Sequence, residues 1–124
     1  MGARSVVPAA LVRRLDAVLS GFPSCHLEDA WTGVRWRVGS ATVAHVFGGE
    51  DQRTRLTFRA EPDEVMAFTH LGPPYFHVGG NAVGVVLDDW RDWDELVELL
   101  TDSYCLQAPG YLVEHVERPR RGTH

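Results

Sequence analysis

The stretch that most constrains the fold lies between residues 34 and 60, where the spacing of apolar side chains has a period of two. In the segments GVRWRVG and RTRLTFRA, polar residues alternate with apolar residues such as Trp36 and Phe58. Between them, ATVAHVF at 41–47 is rich in β-branched residues, and GGEDQ at 48–52 is a turn sequence. Three short strands joined by glycine-containing turns predict an antiparallel meander.

Helical patterns lie on either side of this meander. Apolar residues repeat at helical spacing over about 7–20, where Pro8 suits the first helical position and Gly21 ends the pattern. EPDEVMAFTHLGPP predicts a second helix that begins at acidic residues and stops at Gly72. Strands near 75–78 and 82–87 flank a Gly-Gly-Asn turn, which is a hairpin signal.

The acidic stretch DDWRDWDELVELL, residues 88–100, has two interpretations: a carboxylate site or the start of a helix. Asp92 followed by Glu95 is a capping pattern, and acids in a first turn interact favourably with the exposed N–H groups. An apolar face that includes Leu96 and Leu100 follows. We therefore interpret the stretch as a helix start. The helix ends at QAPG, with a short final turn or helix after it.

These elements predict the order αβββαββα in an α+β fold of two layers, an antiparallel sheet with helices packed on one face. Residues 1–117 form one domain, and 118–124 a basic flexible tail. No apolar stretch is long enough to span a membrane, and no secretion signal begins the chain, so we expect a cytoplasmic protein. In that compartment Cys25 and Cys105 are expected to be reduced thiols.

Positive and negative charges are unevenly distributed along the chain. Residues 1–60 carry eight arginines against five acids, whereas residues 61–117 carry one arginine against twelve acids. The chain has no lysine, and its net charge is −5. This overall acidity disfavours strong non-specific binding to nucleic acid, so any such binding depends on a local cluster of arginines.

No catalytic motif is present in the sequence. The six histidines lack metal-ligand spacing, GGNAVG precedes a strand rather than a helix and is not a phosphate loop, and Ser103 and Cys105 have no recognisable base nearby. We therefore predict a protein that is not an enzyme, with no cofactor and no metal site.

The arginines of the predicted strands are the candidate binding residues. Side chains two apart in a strand share a face, so the two arginines of GVRWRVG lie together, as do the three of RTRLTFRA. The candidates are Arg35, Arg37, Arg53, Arg55 and Arg59. Where helices cover the apolar side of the sheet, these arginines lie on the open side. They could contact phosphates, or be solvated residues paired with acids such as Glu50 and Asp51.

Several segments together resemble the MmcQ/YjbR-like family of small bacterial proteins. They are GFPSC after the first helix, WRVG at 36–39, PPYF at 73–76, NAVGVVLD at 81–88, and DSY at 102–104 followed by AP. The resemblance covers about residues 7–115. It implies a compact α+β domain similar to frataxin-like and secretion-chaperone-like folds. It also implies DNA binding, and it identifies no catalytic residues.

Three hypotheses for function remain open. The first is a binding module for double-stranded DNA that uses the arginines, with the tail at 118–121 as a further contact. The second is a protein-interaction module that uses the sheet face or the acidic segment 88–98, as a monomer or a homodimer. The third is a small-molecule pocket between sheet and helices, near His45, His77 or Tyr75.

Overall fold

The computed structural model describes residues 6–88 and 92–116, which form one six-stranded sheet and four helices. In chain order the elements are α1 (Ala9–Leu19), β1 (Cys25–Asp29), β2 (Val34–Val38), β3 (Ala41–Gly48), β4 (Thr54–Arg59), α2 (Pro62–Leu71), β5 (Tyr75–Gly79), β6 (Ala82–Val86), α3 (Trp93–Gln107) and α4 (Gly110–Val113). The strand order is β1-β2-β3-β4-β6-β5, with every neighbouring pair antiparallel. The predicted fold class is confirmed.

The predicted order αβββαββα was wrong by one strand, because the sheet has six strands rather than five. The missed element is β1, an edge strand of sequence CHLED. Only Cys25 of this strand is buried, and Leu27 is 38% exposed, so the apolar alternation that identifies a half-buried strand is absent. The predicted tail at 118–124 lies outside the described residues.

The acidic stretch is a helix start, as the sequence predicts. The Asp92 carboxylate accepts a hydrogen bond of 3.0 Å from the backbone N–H of Glu95 and so caps α3. Glu61 and Glu64 form a capping box at α2. Pro8 is the N-cap of α1 rather than its first helical residue. Among the described helices, none is long and apolar enough to cross a membrane.

The core lies between one face of the sheet and the helices, with α3 packed over β3 and β4. Trp36 and Phe58 are buried from the sheet side, and Leu15, Leu100 and Tyr104 from the helix side. Trp36 also donates a hydrogen bond of 2.9 Å from its indole nitrogen to the Asp16 carboxylate of α1. Apolar burial and this hydrogen bond together hold α1 against β2.

The DSY segment joins α3 to distant parts of the chain. The Tyr104 hydroxyl donates to the Pro23 carbonyl oxygen at 2.6 Å, and its ring stacks on Phe22 with centroids 4.8 Å apart. The Ser103 hydroxyl donates to the Val43 carbonyl oxygen at 2.6 Å and accepts from the Arg59 backbone N–H at 2.8 Å. Because these hydroxyls are engaged within the fold, DSY is a packing motif here.

The burial of Cys25 gives a testable dependence of stability on pH. Cys25 and Cys105 are thiols rather than a disulfide. Burial, with the nearby Asp16 charge, raises the pKa of the Cys25 thiol from 9.0 to about 11. Since the folded chain holds this proton more tightly, the thiol's contribution to the free energy of unfolding is complete below pH 9 and is lost as pH rises towards 11.

We therefore expect the free energy of unfolding to decline less steeply above pH 9 in Cys25→Ala than in the parent chain. Urea unfolding at several pH values measures this difference. Cys105→Ala is the matched control and should alter the slope less, because Cys105 is only partly buried whereas Cys25 is buried. A parental slope in Cys25→Ala would contradict the assignment.

Candidate functional site

The face of the sheet opposite the helices carries a row of directly opposed residues that crosses every strand. In antiparallel pairs, residues opposite one another point to the same face. From β1 to β5 the row consists of Glu28, Arg35, His45, Thr57, Gly84 and Phe76. We call this side of the sheet the open face. It is where the predicted arginines of β2 and β4 lie.

A groove of about 550 Å³ runs along the open face. Its floor is low at Thr57 and Ala82, because these two lining residues have small side chains. Bulkier residues border it, including Trp31 from the β1–β2 loop and Phe76 from β5. A methyl group on Gly84 would overlap the Phe76 ring, so glycine is needed for this ring to lie across β6.

Two of the predicted arginines share one carboxylate of β1. Arg35 Nε lies 2.6 Å from Glu28 Oε1, and Arg37 Nη1 lies 3.0 Å from the same oxygen. The hydrogen bonds from Arg37 and then Arg35 lower the pKa of Glu28. Arg37 also donates a hydrogen bond to the Ser40 carbonyl oxygen. Its guanidinium group therefore links β1 to the turn that follows β2. One acid therefore balances two guanidinium groups.

Arg55 is held by a carboxylate at the rim of the open face. Its two terminal nitrogens each lie 2.7 Å from an Asp51 oxygen, a bidentate arrangement. These bonds keep the pKa of Asp51 well below its usual range. The interpretation of the arginines as residues paired with nearby acids thus describes Arg55 and Asp51.

Arg59 has an uncharged partner, since its Nη1 donates to the amide oxygen of Asn81 at 3.0 Å. Its side chain borders the groove, as does that of Arg35. Arg53 precedes β4 and is exposed, and it borders a separate hollow beside Pro74 and Phe76. The structure therefore brings the β2 and β4 arginines to one face and puts Arg53 at its edge.

The open face carries excess positive charge although the chain is acidic. Arg35 and Arg37 share Glu28, Arg55 pairs with Asp51, and Arg59 donates to the uncharged Asn81. With Glu50 beside Arg55, these four guanidinium groups face three carboxylates, which leaves one positive charge in excess. On the other side of the sheet, α2 and α3 begin with acids, including Asp63 and Asp94. The uneven charge along the sequence becomes a separation of charge across the fold.

Three aromatic residues of the open face, Trp31, Phe47 and Phe76, were not among the sequence candidates. Phe47 and His45 lie one behind the other on β3, with ring centroids 4.9 Å apart. A ring nitrogen of His45 lies 2.6 Å from the Thr32 carbonyl oxygen and so donates to it, which anchors the loop that carries Trp31. Trp31 itself is fully exposed. In the sequence, His45 and Phe47 alternate with Ala44 and Val46. This alternation was the signal that would have put Phe47 on the open face.

The other sequence candidates lie in separate places. His45 and His77 border the open-face groove rather than a pocket between sheet and helices. Tyr75 packs on Phe68 of α2, with ring centroids 4.7 Å apart, and burial with the nearby acids Glu95 and Asp92 raises its pKa to about 12. Within residues 6–88 and 92–116, no group of three potential metal ligands occurs.

Comparison with known proteins identifies the family. The sequence model of YjbR matches residues 20–106, which is most of the chain. The chain belongs to the YjbR family. The crystal structure of a Deinococcus radiodurans protein with a DUF419 domain is similar, with a TM-score of 0.67 and 21% identity over 91% of this chain and 94% of that one. This neighbour supports the fold alone. A comparison with curated proteins gave no match.

Proposed function

We propose that the protein is a cytoplasmic, non-enzymatic module that binds DNA through the open face of its sheet. The observation that carries the proposal is the excess positive charge beside the groove, in a chain whose net charge is −5. Phosphates are the anions that guanidinium groups bind best, through pairs of parallel hydrogen bonds. An acidic protein whose surplus arginines lie on one face binds a polyanion in one orientation.

The arginines contribute unequally to this proposal. Arg35 and Arg59 border the groove, and neither is neutralised one-to-one by a carboxylate. Arg37 and Arg55 are more firmly held, the first by Glu28 and Ser40, the second by Asp51. We therefore expect Arg35 and Arg59 to supply the main phosphate contacts, with Arg37, Arg53 and Arg55 in supporting roles.

Fluorescence anisotropy of a labelled DNA tests the proposal, at low and at near-physiological salt. We expect saturable binding whose affinity falls steeply with salt, because each neutralised phosphate releases counterions. Arg35→Ala and Arg59→Ala should each weaken binding by at least about tenfold, since a charged hydrogen bond contributes about 1.5–3 kcal/mol. Arg53→Ala/Arg55→Ala together should also weaken it.

Arg13→Ala is the matched control, because Arg13 is exposed on α1, away from the open face. It changes the net charge equally and should leave affinity within about twofold. No binding at low salt, or equal losses in Arg13→Ala and Arg59→Ala, would contradict the proposal.

An acidic protein partner is the second candidate for the same face. The fully exposed Trp31 at the groove favours it, because exposed aromatic residues are common anchors at protein interfaces. Purification from cells distinguishes the two. Nucleic acid absorbance that travels with the protein supports the first candidate, and a stoichiometric acidic protein supports the second.

A further inference from the structure

Two phenylalanine rings on the open face are accessible from more than one side. Phe47 and Phe76 both border the groove of about 550 Å³ and a neighbouring hollow of about 500 Å³. They therefore form a low ridge between these two depressions. Each ring is partly buried at its base, and Phe76 rests over Gly84. Rings anchored in this way present flat apolar surface at a small loss of conformational freedom.

Charge distinguishes the two sides of the ridge. Among the described residues that line the groove there is no carboxylate, while Arg35 and Arg59 supply guanidinium groups. The neighbouring hollow contains Glu50 and Asp51 beside Arg55. An anionic chain lying against the rings would therefore have its phosphates on the groove side, where the described lining carries no acid and Glu28 beside Arg35 is already paired with two arginines.

Aromatic rings on a sheet surface bordered by arginines suit nucleic-acid bases that are not paired. Such bases stack on aromatic side chains while arginines follow the backbone. In a duplex the bases are already stacked on one another, so their faces cannot reach side chains that remain on a sheet. Stacking on the rings is therefore expected for a single strand and not for a duplex. Phosphate contacts to the arginines are expected for both.

We propose that the open face binds an unpaired stretch of a nucleic-acid strand, with bases stacked on Phe47 and Phe76 and phosphates at Arg35 and Arg59. This inference rests on the proposed function and specifies the form of its ligand. The groove extends from the β1–β2 loop to β5, across four strand spacings from β2. At about 4.8 Å per spacing, that is about 19 Å, enough for a short run of nucleotides.

Anisotropy with three labelled DNAs of one length, about 16 nucleotides, tests the inference. The first is a single strand, the second its duplex, and the third a single strand that lacks bases over its central part. We expect the single strand to bind at least about fivefold more tightly than either of the others, because each stacked base contributes measurably. The strand without bases keeps the phosphates, so it isolates the stacking contribution without any change to the protein.

Phe47→Leu/Phe76→Leu is the matching variant, because leucine keeps apolar bulk and removes the flat ring. We expect it to lower the preference for the single strand over the duplex by at least about fivefold, with thermal unfolding near that of the parent. Should this variant fail to fold, the comparison of the intact strand with the strand without bases still tests the stacking contribution.

Each outcome has a distinct meaning. Equal or tighter duplex binding, or equal binding of the strand without bases, overturns the inference and leaves the proposed function standing. Absence of binding to every DNA at low salt overturns both. Preference for the single strand that survives in a folded leucine variant overturns the role of the two rings.

Discussion

Trp36→Ala is expected to lower the free energy of unfolding by about 3–5 kcal/mol, which is a large fraction of the stability of a domain this size. Trp36 is 0% exposed and is among the largest fully buried side chains. On β2 it lies opposite Leu27 and Ala44, small or flexible neighbours that cannot fill the space left by an indole. The loss of transferred apolar surface and the cavity left behind therefore add together.

The indole hydrogen bond contributes a separable part of this effect. Trp36→Phe keeps most of the buried surface but removes the donor to Asp16, and should lower stability by about 1–3 kcal/mol. Urea unfolding followed by circular dichroism measures each variant. Trp31→Ala makes the same chemical change at a fully exposed position and should stay within about 0.5 kcal/mol of the parent. Equal losses at the two tryptophans would contradict the described core.

Ser103→Ala is expected to lower the free energy of unfolding by about 2–4 kcal/mol, a large effect for the loss of one oxygen atom. The β3–β4 register ends with Ala44 opposite Phe58, and the serine hydroxyl bridges the next position, between the Val43 carbonyl and the Arg59 N–H. Removing it leaves the buried Val43 carbonyl and the partly buried Arg59 N–H without this partner, and each unsatisfied group costs about 1–3 kcal/mol.

Ser20→Ala is the matched control for this prediction. The Ser20 hydroxyl bonds the Asp16 carbonyl oxygen, which already accepts the Ser20 N–H, and the site is exposed. Its removal should change stability by no more than about 0.5 kcal/mol. Thermal or urea unfolding of both variants gives the comparison. A loss in Ser103→Ala that is no greater than in Ser20→Ala would contradict the bridging role.

Local patterns were sufficient for most of the fold. The alternation in RTRLTFRA, the Gly-Gly-Asn hairpin and the Asp92 cap are each determined by neighbours in sequence, and each was predicted correctly. The edge strand β1 was missed because an edge strand needs little apolar surface. In β3 the alternation is disturbed by a register shift opposite Trp36 and Arg37, which sequence periodicity cannot locate.

The site was only partly predictable for the same reason. Spacing of two predicts which arginines share a face, and the structure shows the β2 and β4 arginines on the open face. Their ion pairs depend on non-local register, and Glu28 belongs to the missed strand. That Phe47 and Phe76 border the same groove depends on β6 lying between β4 and β5, a strand order that periodicity does not specify.

The most direct test of the central claim is an NMR titration of the isotopically labelled protein with single-stranded DNA. The account predicts that the Nε–H signals of Arg35 and Arg59 and the ring signals of Phe47 and Phe76 shift as DNA is added. Signals of Arg13 on α1, and of Met66 and Leu71, which are exposed on α2, should stay in place. Shifts confined to the helices, or no shifts at low salt, would show that the open face is not the binding surface.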